Sequence, residues 1–183
     1  VLDGIASLLD KNLLHRETSL HSQPRYAMLE TIREYGLERL GLNNQFADLQ
    51  RRHAECFVQL IEYAEQTDPD PGFVLLAHLI DDDIHNVRIA LAWAIENDIQ
   101  VALLLTAAVL YWSGQRGPYS EGRRLIGDVL GLPVAAAHTV PRVKALVQAA
   151  LRKIRSDTST EAQAYADEAL AISRELGYAE GEA

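Results

Sequence analysis

The sequence predicts a mainly α chain: antiparallel helix pairs stacked as an α-solenoid, preceded by a short helix-and-hairpin segment. Three observations carry that expectation. Beyond residue 40 nearly every apolar pattern follows the 3.6-residue helical period. The breaks between periodic runs are short and rich in Gly, Pro and Asp. Small or apolar residues also recur at matching places in three of the helices.

In chain order, Leu2, Ile5, Leu8 and Leu9 share one helical face, and Asn12 is a natural stop. Two short extended stretches, Leu13 to Arg16 and Arg25 to Met28, flank a polar loop and read as a β-hairpin. A helix followed by a hairpin is how a winged-helix domain ends. From Leu29 the pattern turns helical, with Leu29, Ile32, Leu37 and Leu40 close to one stripe. Residues 1–40 are therefore expected to be the C-terminal part of a winged-helix domain, and 41–183 a helical repeat domain.

In the second part, Asn44 to Glu65 is expected as a long helix burying Phe46, Leu49, His53, Cys56, Phe57, Leu60, Ile61 and Ala64. Asp68-Pro69-Asp70-Pro71-Gly72 breaks it. A short helix over Phe73 to Leu79 follows, and Asp81-Asp82-Asp83 reads as the cap of the next one, Ile84 to Glu96. Then come Val101 to Trp112, a turn at Ser113 to Gly117, a helix from Tyr119 to the Gly131-Leu132-Pro133 stop, and one from Pro141 to Arg155. Thr158-Ser159-Thr160-Glu161 has the form of a capping box for a last helix ending at Gly177.

The repeat lies in Asn86, Ala90 and Trp93; Gly122, Ile126 and Val129; and Ala162, Ala166 and Ala169, each at i, i+4 and i+7. Gly122 stands 36 positions after Asn86, and Ala162 40 after Gly122, near the period of tetratricopeptide (TPR) hairpins. Small residues at such places let neighbouring pairs approach in a right-handed superhelix, so Ala166→Glu is expected to collapse the packing. The expected fold class is thus a TPR-like α-solenoid.

At 183 residues, 48% hydrophobic and 23% charged, the chain suits a packed core. A formal charge of −9 and a pI near 5.1 exclude a chain-wide field that would hold nucleic acid. The single cysteine, Cys56, excludes an intramolecular disulfide and suits a reducing cytoplasm, with the thiol expected at an inward position. No apolar run is long enough to span a bilayer, so no membrane contact is expected. The opening Val1 and the closing Ala179-Glu180-Gly181-Glu182-Ala183 read as cut points of a longer polypeptide, truncated at its C-terminal side.

Several segments together resemble one family. They are Leu2 to Leu14 (LDGIASLLDKNLL), Arg25 to Tyr35 (RYAMLETIREY), Arg51 to Glu55 (RRHAE), Asp82 to Ala94 (DDIHNVRIALAWA) and Gln115 to Leu125 (QRGPYSEGRRL). The set is similar to the region after the nucleotide-binding core of bacterial NB-ARC or STAND signal-transduction ATPases, including LuxR-type transcriptional regulators and predicted ATPases. The resemblance implies a parent in which an ATPase core holds ADP or ATP with Mg, a winged helix closes over the nucleotide, and a repeat array senses an inducer or partner. This segment has no Gly-x-x-x-x-Gly-Lys-Ser/Thr loop, so it is expected to be non-catalytic and to hold no cofactor itself. Many family members carry Met-His-Asp at the strand-to-helix junction, with the histidine on the ADP phosphate. Met28-Leu29-Glu30 stands there in this chain, and Leu29 cannot donate a hydrogen bond. Met28, Leu29, Glu30 and Ile32 are then expected to couple the upstream nucleotide-binding domain to the array by packing.

The six histidines form no cluster with metal-ligand spacing, and no metal site is expected. Two function classes follow. The first is a regulatory module whose repeat surface binds a protein, a peptide or a small inducer, through Tyr111, Trp112, Gln115, Arg116, Tyr119, Arg123, Lys144 and Gln148; Trp and Arg are frequent hot spots. Tyr111 and Trp112 suit a core better than a surface. The second is a DNA-binding winged helix with a helical dimerisation or scaffold domain, which the acidic balance disfavours.

Overall fold

Helix after helix forms where the period asked for one, and the departures come where a tertiary partner outweighs local signals. A computed structural model of the chain describes residues 2–18, 24–42, 45–67, 74–154 and 159–179. The described part is mainly helical, with one small antiparallel sheet. It divides into two units at Gln50/Arg51.

The first unit holds α1 (Leu2–Asp10), β1 (His15–Thr18), β2 (Pro24–Ala27) and α2 (Glu30–Leu42). Asn12 ends α1 with a positive φ of 55°, a conformation Asn tolerates better than most residues. The strands pair with His15 opposite Ala27 and Arg16 opposite Tyr26, the hairpin expected from the polar loop. The loop itself falls outside the described residues. In α2 the Leu29 carbonyl accepts from Ile32 and Arg33 N–H, and the Arg33 guanidinium pairs with Glu30. No residue of α1 or α2 is fully buried, and Leu2 and Leu29 are well exposed, so their apolar faces are only half covered.

Helix α3 (Phe46–Thr67) crosses the division. Its buried stripe is Ala54, Ile61 and Ala64, with Phe57 and Val58 packed beside it. That corrects the expected stripe: Phe46, Leu49 and Cys56 are exposed, because the face that docks is centred on small Ala residues rather than on the bulkiest ones. Residues 68–73, the expected break, lie outside the described part.

The second correction concerns α4. Val74–Asn97 is one helix of 24 residues, not a short helix and a capped successor. Asp81, Asp82 and Asp83 lie in its interior, so they cap nothing. Asp98 provides the true N-cap of α5 (Ile99–Gln115), accepting from Gln100 N–H at 3.0 Å and Val101 N–H at 3.2 Å. Helix α5 is the centre of the core: Leu103, Leu105, Thr106 and Val109 are fully enclosed. It continues through the expected turn at Ser113 and ends against Arg116 and Gly117.

Helix α6 (Tyr119–Leu125) is short and passes into a π-helical turn, Ile126–Leu130, then a 3-10 turn, Pro133–Ala136. Helix α7 (Val140–Ile154) and α8 (Ser159–Leu176) close the unit; Gly177 ends α8 at φ 65°. Thr158 and the Ser159 side chain lie outside the described part, so the expected capping box does too; Glu161 pairs with Lys153 of α7. Helices α4 and α5 pack together, α5 packs on α7, and α7 on α8. Of the repeat positions, Ala90, Gly122, Ile126, Val129, Ala162 and Ala169 are buried. Ala166 is exposed, which corrects the expectation placed on it: α8 turns Ala162, Ala169 and Ile172 inward and leaves Ala166 in solvent.

Candidate interaction surface

A connected group of polar side chains gathers at the C-terminal end of α5. Trp112 is 6% exposed, and its indole N–H donates to one carboxylate oxygen of Asp81 on α4. The other oxygen accepts from Arg116 Nη1 at 2.6 Å. Arg116 Nη2 meets His78 Nε2 at 3.0 Å. One carboxylate therefore serves an indole and a guanidinium at once, which explains its place inside a helix: both partners lie more than thirty residues away in sequence.

A second charge group adjoins it. Arg88 of α4 lies over the Trp112 ring, 6.0 Å from its centre, at the outer reach of a cation–π contact. The same guanidinium makes a two-bond fork to Glu121 of α6, at 2.7 and 2.6 Å. These hydrogen bonds hold the Glu121 carboxyl below its ordinary range, against the opposing pull of burial, and the charges of Arg88, Arg124 and Arg152 add to the effect. Arg88 is correspondingly raised. Arg152 of α7, 4% exposed, lays its guanidinium against the bare Cα of Gly122. A Cβ at Gly122 would overlap that guanidinium, and one at Gly117 would overlap the Trp112 ring.

Of the sequence-derived residues, this places Trp112 and Arg116 together in the cluster. Tyr111 packs half-buried against the core, Gln115 is exposed at the helix end, and Arg123 is exposed on α6. The Tyr119 side chain lies outside the described part. Lys144 pairs with Glu65 of α3 at 2.6 Å, and Gln148 is half-buried on α7. In the first unit, Met28 and Ile32 are half-buried, Leu29 is 58% exposed and Glu30 pairs with Arg33. Sequence reasoning missed Asp81, Arg88, Glu121 and Arg152. The Asp81 signal was present but matched a helix cap; the other three are ordinary charged residues at helical positions, with nothing local to distinguish them. Among the described residues no group of three His, Cys, Asp or Glu could hold a metal ion, and no helix is long and apolar enough to cross a membrane. Chemically, the cluster is a buried indole and guanidiniums already engaged by carboxylates.

No family model matches the chain, and no solved structure matches it. Over 186 aligned residues it is 33% identical to proteins of Mycobacterium bovis and of two strains of Mycobacterium tuberculosis that carry the name HTH-type transcriptional regulator. The alignment takes in 97% of this chain and 21% of each of those proteins, so the chain spans about a fifth of the length of the curated relatives it matches. This likeness supports a relationship with transcriptional regulators.

Proposed function

We propose that the chain is a non-catalytic sensor segment of a STAND-type, LuxR-like transcriptional regulator of the cytoplasm, with a TPR-like array that binds a protein, peptide or small inducer. The observation that supports this reading is the packing of α5 between α4 and α7, with α7 in turn on α8, the kind of helix-on-helix stacking that a repeat array uses. The relatives' name adds the regulatory context. In this reading the upstream nucleotide-binding domain, with ATP or ADP and Mg, belongs to the parent, and the junction of β2 and α2 couples it to the array through Met28, Leu29, Glu30 and Ile32. The exposure of Leu29 fits a residue that packs on something outside this segment.

Calorimetry with ADP on the parent protein and on this chain tests the assignment. The parent should bind, this chain should not, and Leu29→Ala in the parent should lose little affinity. ADP binding by the chain alone would sink the reading. The HTH in the relatives' name favours a second reading, in which this chain contacts DNA itself. Saturable, salt-sensitive binding of duplex DNA at low ionic strength would establish that reading instead.

A further inference from the structure

Helix α6 is held differently from its neighbours. Its backbone lies close to α5 and to the π-helical turn that follows it, while α4 and α7 reach it through long charged side chains, Arg88 onto Glu121 and Arg152 onto Gly122. Downstream, Leu125, Ile126, Val129 and Leu130 are all buried, an apolar anchor. Upstream, Gly117 rests on the Trp112 ring and Pro118 starts the helix without a side-chain cap. The segment is fixed downstream by burial and tied upstream to α5 by the Arg116 and Gly117 N–H groups on the Trp112 carbonyl, and between those ends it is held by charge.

We propose that residues 117–124 form a strap, latched by the Arg88–Glu121 fork, that opens about its Leu125–Leu130 anchor while α4, α5, α7 and α8 stay folded, and that opening uncovers the Trp112 indole. The latch is a half-exposed ion pair, with Arg88 45% and Glu121 11% exposed at their side chains. Such pairs are weaker than apolar burial and sensitive to salt. The surfaces it covers are the ring of Trp112 and the guanidinium of Arg152, residue types that dominate binding hot spots. The strap stands on this geometry alone, whatever ligand the array takes.

Hydrogen exchange of the backbone amides of residues 119–124, with acrylamide quenching of Trp112 in a Trp93→Phe background, tests it. In the wild type the strap amides should exchange faster than those of α5, and faster again when NaCl rises from about 0.05 to about 0.5 M. Glu121→Gln and, from the α4 side, Arg88→Gln should each raise strap exchange and Trp112 quenching by roughly fivefold to tenfold, leaving the α5 and α7 amides unchanged. Arg142→Gln, in a clamp between α7 and α8, should leave strap exchange unchanged. Strap amides that exchange only together with α5, or variants that speed α5 and the strap alike, would overturn the proposal.

Discussion

Arg142 offers the sharpest test of how the last helix pair is held. It lies near the start of α7 and is 7% exposed, yet carries a full charge. Nη1 donates to the backbone carbonyl of Ala135 in the 3-10 turn at 2.6 Å, and Nε and Nη2 converge on one Glu168 oxygen of α8 at 2.7 and 2.6 Å. In Arg142→Met the aliphatic stem persists and the guanidinium is lost. The Ala135 carbonyl, on a residue with no exposed surface, then loses a charged donor in a place water reaches poorly, a loss of about 1–3 kcal/mol. Glu168 is different: its side chain is 40% exposed, so water replaces the donor and the cost is about 0–1 kcal/mol.

Together the substitution should cost about 1–4 kcal/mol, a fall in Tm of roughly 2–16 °C for a chain of this size. Glu168→Gln, which keeps an acceptor oxygen, should cost at most about 1 kcal/mol. Urea titration followed by tryptophan fluorescence measures both, and it reports on the second unit alone, because Trp93 and Trp112 are the only tryptophans. The reasoning fails if Glu168→Gln costs as much as Arg142→Met, or if Arg142→Met costs less than about 1 kcal/mol, since the carbonyl would then not depend on the guanidinium.

Four other outcomes are expected. Ala162→Glu, at a 3% exposed site, should cost about 3 kcal/mol or more, while Ala166→Glu should stay within about 0.5 kcal/mol in the same titration; equal losses would contradict the facing of α8. Asp98→Ala should remove the α5 cap at about 1 kcal/mol, and an unchanged urea midpoint would show the cap to be idle. Burial holds His53 below its ordinary pKa, with the Asp83 carboxylate opposing, so the unfolded chain takes up the proton first and stability is lost as pH falls from about 6.5 through the depressed folded value. His53→Gln should flatten the stability profile there, and an unaltered slope would exclude His53 as its source. Exposed Cys56 should react with a thiol reagent in the native protein as fast as after unfolding to within about tenfold, and strong native protection would refute its outward placement.

What the sequence disclosed and what it hid divide along the distance between interacting residues. The hairpin, the Asn12 stop, the start of a helix at Tyr119 and the Gly177 terminus were legible because turn and cap chemistry acts within a few residues, whereas the π-helical turn that replaces the expected α-helix over 126–130 was not. Asp98, directly ahead of the apolar run that becomes α5, carries the same kind of local signal. The three aspartates at 81–83 show why the rest was hidden. A local rule reads an acidic run as a helix start. Asp81 instead answers to Trp112 and Arg116 on the next helix, and a helix through residues 74–97 is what brings it to them. The stripe of α3 was legible at Ile61 and Ala64 and failed elsewhere: periodicity gives the spacing of a buried face, but which residues dock depends on the partner surface, which takes in Ala54 and leaves Cys56 exposed.

The same dependence bears on Trp112, where the sequence left core and interaction surface open. Its ring is enclosed by Gly117 and its N–H is satisfied by Asp81, so in the closed arrangement it behaves as a core residue. Trp112 belongs to the apolar core of the second unit, and polar groups meet it as well: a glycine at a helix entry, a carboxylate shared with Arg116, and an arginine forked onto Glu121. An aromatic side chain meant only for packing would be better covered by aliphatic neighbours, which need no paired charges to stay in place. On the strap proposal, these polar groups make part of the burial of Trp112 depend on charge, and the two readings describe the strap closed and the strap open. The strap exchange and Trp112 quenching experiment decides between that account and simple burial. If Trp112 stays unquenched in Arg88→Gln and Glu121→Gln alike, the residue is core in every state the protein visits.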